Sequence, residues 1–396
     1  MQIYMDNAAT TPISDAAANA VLECMKKEYG NPSSIHQAGQ AASKALESSR
    51  RTIARLIGAE DAKEIYFTSG GTEADNWAIR AAAELGAKQG KRHMISTRFE
   101  HHAVLHTLER LERQGFEVTL LEVHGDGLVR PGELEKAIRK DTALVTVMYA
   151  NNEIGTVQPV AELGGICGAR GVWFHTDAVQ AAGHIPLNLR NVDMLSLSAH
   201  KFGGPKGVGA LYLRKGVKIP PLTEGGGHER GLRSGTENVA GIVGLAKALA
   251  LASENLEADS KRVARVSGIV KDGLSRIPYA HLTGHPDLRL PGTVSFVFEA
   301  VEGESLVLGL DAKGVAASSG SACSHGSLEP SHVLLAVGLS HEVAHGSLRL
   351  SFGYENTPEE AEYVVKAVTE TVAARRAMSP LWDEAKNAPT ERFWRS

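Results

Sequence analysis

Short apolar runs alternate with longer stretches of helical periodicity through the first two thirds of the chain. The runs at 64–68, 93–97, 118–123, 143–148, 172–175, 194–197 and 209–213 have the length and the β-branched or aromatic content of strands. Between them, 75–85, 103–114, 133–140 and 160–169 repeat apolar residues at helical spacing. This alternation predicts βαβ units and a mainly parallel sheet, with ligand groups gathered at strand ends. From about residue 240 the rhythm changes. A helical stretch over 240–271, allowing for a break, leads to strands near 292–298 and 347–351 and a terminal helix over 358–376. That pattern predicts a smaller α+β domain, against which residues 1–13 pack. The expected division is a large domain over 14–255 and a small one built from 1–13 and 256–396. The tail after Leu381 is polar and expected to be loose.

Composition narrows the class. A chain of 396 residues, 43% hydrophobic and 22% charged, has the balance of a globular protein with room for two domains. A net charge of -4 gives no reason to expect a nucleic-acid partner. No apolar run is long enough to cross a bilayer, and Met1-Gln2-Ile3-Tyr4-Met5-Asp6 lacks the basic and apolar regions of a signal peptide. Cys24, Cys167 and Cys323 are sparse and form no close pair, which argues against a disulfide framework and an all-cysteine zinc site. The expected setting is a reducing cytoplasm.

The candidate chemistry lies at the ends of the apolar runs. Lys201 sits in Ser198-Ala199-His200-Lys201-Phe202-Gly203-Gly204, directly after one of them. A lysine held rigidly and partly desolvated there has a lowered pKa and can attack a carbonyl, the setting for a covalent link to pyridoxal phosphate. A surface lysine in a glycine loop is the plainer reading. Thr68-Ser69-Gly70-Gly71-Thr72-Glu73 follows a strand and opens a helix, where backbone N–H groups and the helix dipole favour an anion; taken alone, an ordinary N-cap is the plainer reading. Asp177, at the end of a buried run, needs a cationic partner such as a protonated pyridine nitrogen, or else caps a helix. Gln180 follows three residues on, in reach of a ring oxygen. In Glu100-His101-His102, a flat imidazole suits ring stacking and proton relay, and no partner at ligand spacing supports a metal. Asn151-Asn152 suits ligand hydrogen bonding or a plain turn. Arg349, in the apolar strand Leu348–Phe352, calls for an anion: a substrate carboxylate or an internal salt bridge. Cys323 stands in the Ser/Gly tract from Ala317 to Ser327, which has little apolar area to bury and is expected to be mobile. A thiol there suits a nucleophile, against an incidental exposed cysteine. Cys24 and Cys167 read as packing residues.

Taken together and in order, these segments resemble the cysteine desulfurases of the aminotransferase class V group. Further matching segments are Met5-Asp6-Asn7-Ala8-Ala9-Thr10-Thr11, Gly30-Asn31-Pro32-Ser33-Ser34 and Arg233-Ser234-Gly235-Thr236-Glu237-Asn238. The resemblance spans nearly the whole chain and implies the fold type I architecture of pyridoxal-phosphate transferases: a large domain with a mainly parallel central sheet and a smaller α+β domain. It implies that Lys201 holds the cofactor, Asp177 pairs with its ring nitrogen, Gln180 with its ring oxygen, and His101 stacks on the ring and moves protons. Gly71, Thr72, Ser198 and His200 would bind the phosphate, joined by Thr236 from the neighbouring subunit of a homodimer. Asn152 would contact cofactor and substrate, and Arg349 the substrate carboxylate. Cys323 would take sulfur from L-cysteine as a persulfide, leaving alanine, and pass it to an iron–sulfur scaffold. No resident metal is implied, although Cys323 would transiently share a cluster with that scaffold. The long loop around Cys323 resembles the NifS-like and IscS-like subgroup. Residues 225–231 and 377–382 lean toward the NifS-like branch and nitrogenase maturation, with housekeeping IscS-like assembly and selenocysteine lyase as alternatives.

Overall fold

Several helices begin at side-chain caps, among them those opened by Ser14, Asn238 and Thr357. The computed structural model describes residues 2–320 and 329–390. Strand β1 (Ile3–Tyr4) precedes helices α1 (Asp15–Lys27) and α2 (Gln37–Ile57). The chain then alternates through β2 (Ile65–Thr68), α3 (Gly71–Lys88), β3 (His93–Thr97), α4 (His102–Glu112), β4 (Glu117–Leu121), α5 (Pro131–Ala137) and β5 (Thr142–Thr146). It continues through α6 (Val160–Ala169), β6 (Trp173–Asp177), β7 (Met194–Ser198) and β8 (Gly209–Leu213). The strands β2 to β8 form one seven-stranded sheet in the order β2-β8-β7-β6-β5-β3-β4. Pairing from β4 across to β7 is parallel, and β8 runs antiparallel to both its neighbours. The mainly parallel sheet expected from the alternation is therefore present. Its one reversed strand has a local cause: the β7–β8 link is too short to cross the sheet, so β8 must turn back. That short link carries Lys201.

Helices cover both faces of the sheet, so β3, β5, β7 and β8 are buried along their full length. The alanine-rich face of α3 (Ala74, Ala78, Ala81, Ala82) allows close approach to the sheet, with Trp77 fully buried beside it. The long helical stretch does break: α7 (Val239–Glu254) and α8 (Leu256–Leu274) meet at 75°. No single helix among the described residues is long and apolar enough to cross a membrane.

A second, antiparallel sheet follows, ordered β12-β10-β9, from β9 (Ala280–Leu282), β10 (Thr293–Phe298) and β12 (Ser347–Ser351). Helix α9 (Gly303–Asp311), strand β11 (Val315–Ala316), helices α10 (His332–Ala336) and α11 (His341–His345), and the terminal α12 (Pro358–Arg376) complete this part. Strand β1 pairs in parallel with β11, which carries Ile3 and Met5 into the core of Phe296, Phe298, Leu348 and Val368. Val333, Leu334 and Val343 instead pack with the core of the large sheet.

Candidate active site

The ends of β6 and β7 meet the start of α3. Asp177 is the last residue of β6 and Ser198 the last of β7, while Gly71 opens α3. The approach is close: a Cβ on Gly209 would lie 2.4 Å from the Leu197 carbonyl oxygen and 2.7 Å from the Gly70 Cα. A Cβ on Gly71 would lie 2.6 Å from Val179 Cγ2 and 3.6 Å from Ser198 Cβ. Glycine at these positions therefore lets the helix terminus sit on the strand ends. The free N–H groups of the α3 N-terminus and the Ser198 hydroxyl share one edge, as an anion requires. Thr72 and Thr236 are exposed.

Lys201 follows β7 in a single turn of 3-10 helix. Its Nζ donates to the carbonyl oxygens of Ala8 (2.7 Å) and Ala9 (2.9 Å). Gln180 Nε2 donates to the same Ala8 oxygen (2.8 Å), so lysine and glutamine converge on one point. The N-terminal segment reaches that point because Thr11 is tied to the lysine turn. Its N–H and hydroxyl both donate to the His200 carbonyl (2.9 and 3.0 Å), and its hydroxyl accepts from the Gly203 N–H (2.7 Å). The His200 Nδ1 lies 3.1 Å from the Thr10 hydroxyl. Burial, then the Lys201 charge, pulls His200 down to about 4.

His101 caps α4: its Nδ1 accepts the Ala103 N–H at 3.1 Å, which leaves the ring proton on Nε2. Burial, then the charge of Lys201, lowers its pKa to about 4. The ring is thus neutral at pH 7, as stacking and proton transfer both need. Asp177 is 5% exposed and accepts the Val179 N–H at 2.9 Å. Burial raises it to about 6, against the pull of that N–H and of Lys201. Beneath it lie Asp75 and Glu100, both buried. His175 links to this floor, with Nδ1 2.8 Å from the Thr146 hydroxyl, Nε2 3.0 Å from the Ser196 hydroxyl, and Nε2 3.7 Å from Asp75 Oδ1. Burial holds His175 near 3, so it is a neutral spacer.

Arg349 is 4% exposed. The internal salt bridge is what forms: Nη2 donates to Asp6 Oδ1 at 2.8 Å and Nη1 to the Asn152 carbonyl at 3.0 Å. Among the described residues its buried Nε has no hydrogen-bond partner, which leaves the guanidinium a donor for a further anion. Asn152 thus stands at the same place through its backbone. The neighbouring Glu153 is buried, accepts from Ser331, and is raised to about 7 by burial despite Ser331 and Arg349. Cys323 lies outside the described residues. Cys24 and Cys167 are buried free thiols, raised by burial to about 11 and about 12.

Motif reading missed Asp6, Asp75, Glu153 and the pairing of Arg233 with Glu73. Nothing local marked Glu153 as buried, and Asp6 stood in a quoted segment with no sign of its distant partner Arg349. Asp75 carries no signal beyond lying on the inward face of α3. The donor set fits pyridoxal phosphate. The raised Asp177 would return to a carboxylate beside a ring N–H⁺, and the helix terminus with Ser198 offers the phosphate its donors.

The comparisons with known proteins agree in scope. The aminotransferase class-V family profile matches residues 3–364. The chain is 53% identical over 381 residues to the cysteine desulfurase IscS of Methanosarcina thermophila, covering 96% of this chain and 94% of that protein. It superimposes on a solved NifS-like protein with a TM-score of 0.89 at 40% identity, covering 94% of this chain and 100% of the other. It is also similar to SspA, solved in complex with cysteine, with a TM-score of 0.78 at 35% identity, covering 90% and 100%.

Proposed function

The chain belongs to the aminotransferase class-V family and is a pyridoxal-phosphate-dependent cysteine desulfurase, and we propose that Lys201, His101 and Cys323 carry its chemistry. One observation supports this most: Lys201 and Gln180 converge on one carbonyl oxygen, while the Lys201 charge acts on both Asp177 and His101. When bound, the cofactor ring draws electrons from the substrate Cα and so loosens the carbon–sulfur bond.

The protein's own groups do the rest. Lys201 would hold the cofactor, and its Nζ would move the substrate Cα proton. Asp177, as the carboxylate, keeps the ring nitrogen protonated. Gln180 bonds the ring oxygen. Gly71, Thr72, Ser198 and His200 hold the phosphate, with Thr236 supplied by the other subunit of a homodimer. Asn152 and Arg349 orient L-cysteine through its carboxylate. His101, neutral and with its proton on Nε2, stacks on the ring and shuttles protons. The Cys323 thiolate attacks the substrate sulfur. A sulfur–sulfur bond forms, the carbon–sulfur bond breaks, and its electron pair stays with the carbon, which is then protonated to give alanine.

The persulfide then passes to an iron–sulfur scaffold. Similarity to relatives named IscS supports general cluster assembly over the nitrogenase-dedicated role toward which residues 225–231 and 377–382 lean. The test is direct. Cys323→Ala should retain the visible cofactor band and lose at least about 100-fold in alanine formation from L-cysteine. Lys201→Ala should lose the band of the lysine-bound cofactor. An active Cys323→Ala enzyme would sink the thiol's role, and a keto acid in place of alanine would point to an aminotransferase.

A further inference from the structure

The N-terminus of α3 carries a carboxylate where an anion is to bind. Glu73 is in the first turn of that helix, and its Oε2 accepts the Ser69 N–H at 2.9 Å. An acid in a first helical turn is ordinarily stabilising, because it meets the positive end of the dipole. Here the same end has to accept a phosphate, and an unneutralised carboxylate beside it would repel that charge.

The structure cancels the carboxylate. Arg233 grips it with both arms, Nε to Oε1 at 2.8 Å and Nη2 to Oε2 at 3.1 Å, with the two side chains only 24% and 18% exposed. Burial alone would raise Glu73; Arg233 and the Ser69 N–H outweigh it, so the group stays ionised and paired. Arg233 is itself held firmly. The Ser234 N–H donates to the Thr223 carbonyl (3.4 Å) and the Ser234 hydroxyl to the Gly226 carbonyl (2.7 Å), closing the loop. That loop is anchored by Glu229, buried against Arg50 at 2.6 and 2.8 Å.

We infer that Arg233 is a positioning residue for the cofactor phosphate, acting through Glu73. It removes a carboxylate's charge from the α3 terminus, where the phosphate is to bind. The inference rests on the proposed phosphate site and adds a role that motif matching did not assign. A bidentate fork is needed, because a lysine would hold one oxygen and leave the other facing the anion.

The measurement is uptake of pyridoxal phosphate, and separately of pyridoxal, by the cofactor-free full-length protein, followed through tryptophan fluorescence. Arg233→Ala should weaken pyridoxal phosphate about tenfold (~1.4 kcal/mol) and leave pyridoxal unchanged. The double variant Glu73→Gln/Arg233→Ala should recover to within about threefold of wild type, since the repelling charge is gone. Glu73→Gln alone should bind at least as tightly as wild type. Three results overturn the inference: a double variant as weak as Arg233→Ala, an equal loss for pyridoxal, or a tenfold loss in Glu73→Gln. Should Arg233→Ala not fold, the Glu73→Gln result still decides. Wild-type protein that takes up neither ligand would instead overturn the cofactor site itself, and this role with it.

Discussion

At the residue scale, the floor of the site is governed by where its protons reside. Asp75, Glu100 and Asp177 are 1%, 0% and 5% exposed. Burial is the largest influence on each: Asp75 is raised well above the usual carboxylate range, Glu100 to about 8 and Asp177 to about 6. Like charges gathered in one buried place cannot all ionise. Burial favours the protonated acid more at Glu100 than at Asp177 and pushes Asp75 the same way, so Asp177 ionises more readily than Glu100 and suits a protonated ring nitrogen. Glu100 gives a clean test of the sign. Folded, it holds a proton that the unfolded chain releases above 4.5, so the native state loses stability as pH rises from there through about 8. Glu100→Gln removes that loss. The variant should gain on wild type by a few kcal/mol (order of magnitude) between pH 5 and pH 8.5, measured by urea unfolding at both. A difference that shrinks as pH rises would contradict the protonated acid.

Among elements, α2 and the 3-10 turn at His228–Gly231 are joined by a single buried ion pair. Arg50 donates to both Glu229 oxygens and to the Ile65 carbonyl, and Glu229 also accepts the Phe67 N–H at 2.8 Å. The pair thus closes β2 against the turn, with the guanidinium over the Phe67 ring at 4.6 Å. Glu229 and Arg230 adopt φ of 45° and 58°, the left-handed region that side chains disfavour, so the pair also holds a strained turn in place. Arg50→Ala strands a buried carboxylate and should lower unfolding stability by about 3–5 kcal/mol. Replacing both partners with apolar residues of similar volume should recover most of the loss in the same urea experiment. Were the single variant as stable as wild type, the pair would not anchor the turn. The elements themselves were largely legible. The strands 93–97, 209–213 and 347–351 and the helices 160–169 and 358–376 stand where apolar period, glycine and capping residues place them. Helix α3 begins at Gly71, within the Thr68–Glu73 segment expected to open a helix and ahead of the apolar period that starts at 75.

For the whole molecule, residues 6–11 act as a strap across the site. Asp6 reaches Arg349 of β12, Ala8 receives Lys201 and Gln180, and Thr11 is tied to the lysine turn. The Asn7 N–H and the Ala8 N–H both bond to Ser351, at the end of the same strand. Asp6 therefore occupies the guanidinium that the proposed substrate carboxylate would use, and the two compete. Asp6→Asn should lower the KM for cysteine about threefold with kcat little changed, while Arg349→Ala should raise KM at least about tenfold. Steady-state kinetics on both variants checks this. Equal KM values in all three proteins would confine Arg349 to a structural role.

Local pattern determined the alternating elements, the parallel sheet and the strand-end positions of Asp177, Ser198 and Lys201, because hydrophobic period and turn residues act over a few neighbours. It also located Gly71 at the helix start and Arg349 in its strand. Only the tertiary structure decided who partners whom. Arg349 meets Asp6, Arg233 meets Glu73, and His332 lies 2.9 Å from the Glu100 carbonyl, across 343, 160 and 232 residues of chain. A buried charge or donor takes whichever complementary group folding brings within 3 Å or so, and that choice leaves no periodic trace in either segment.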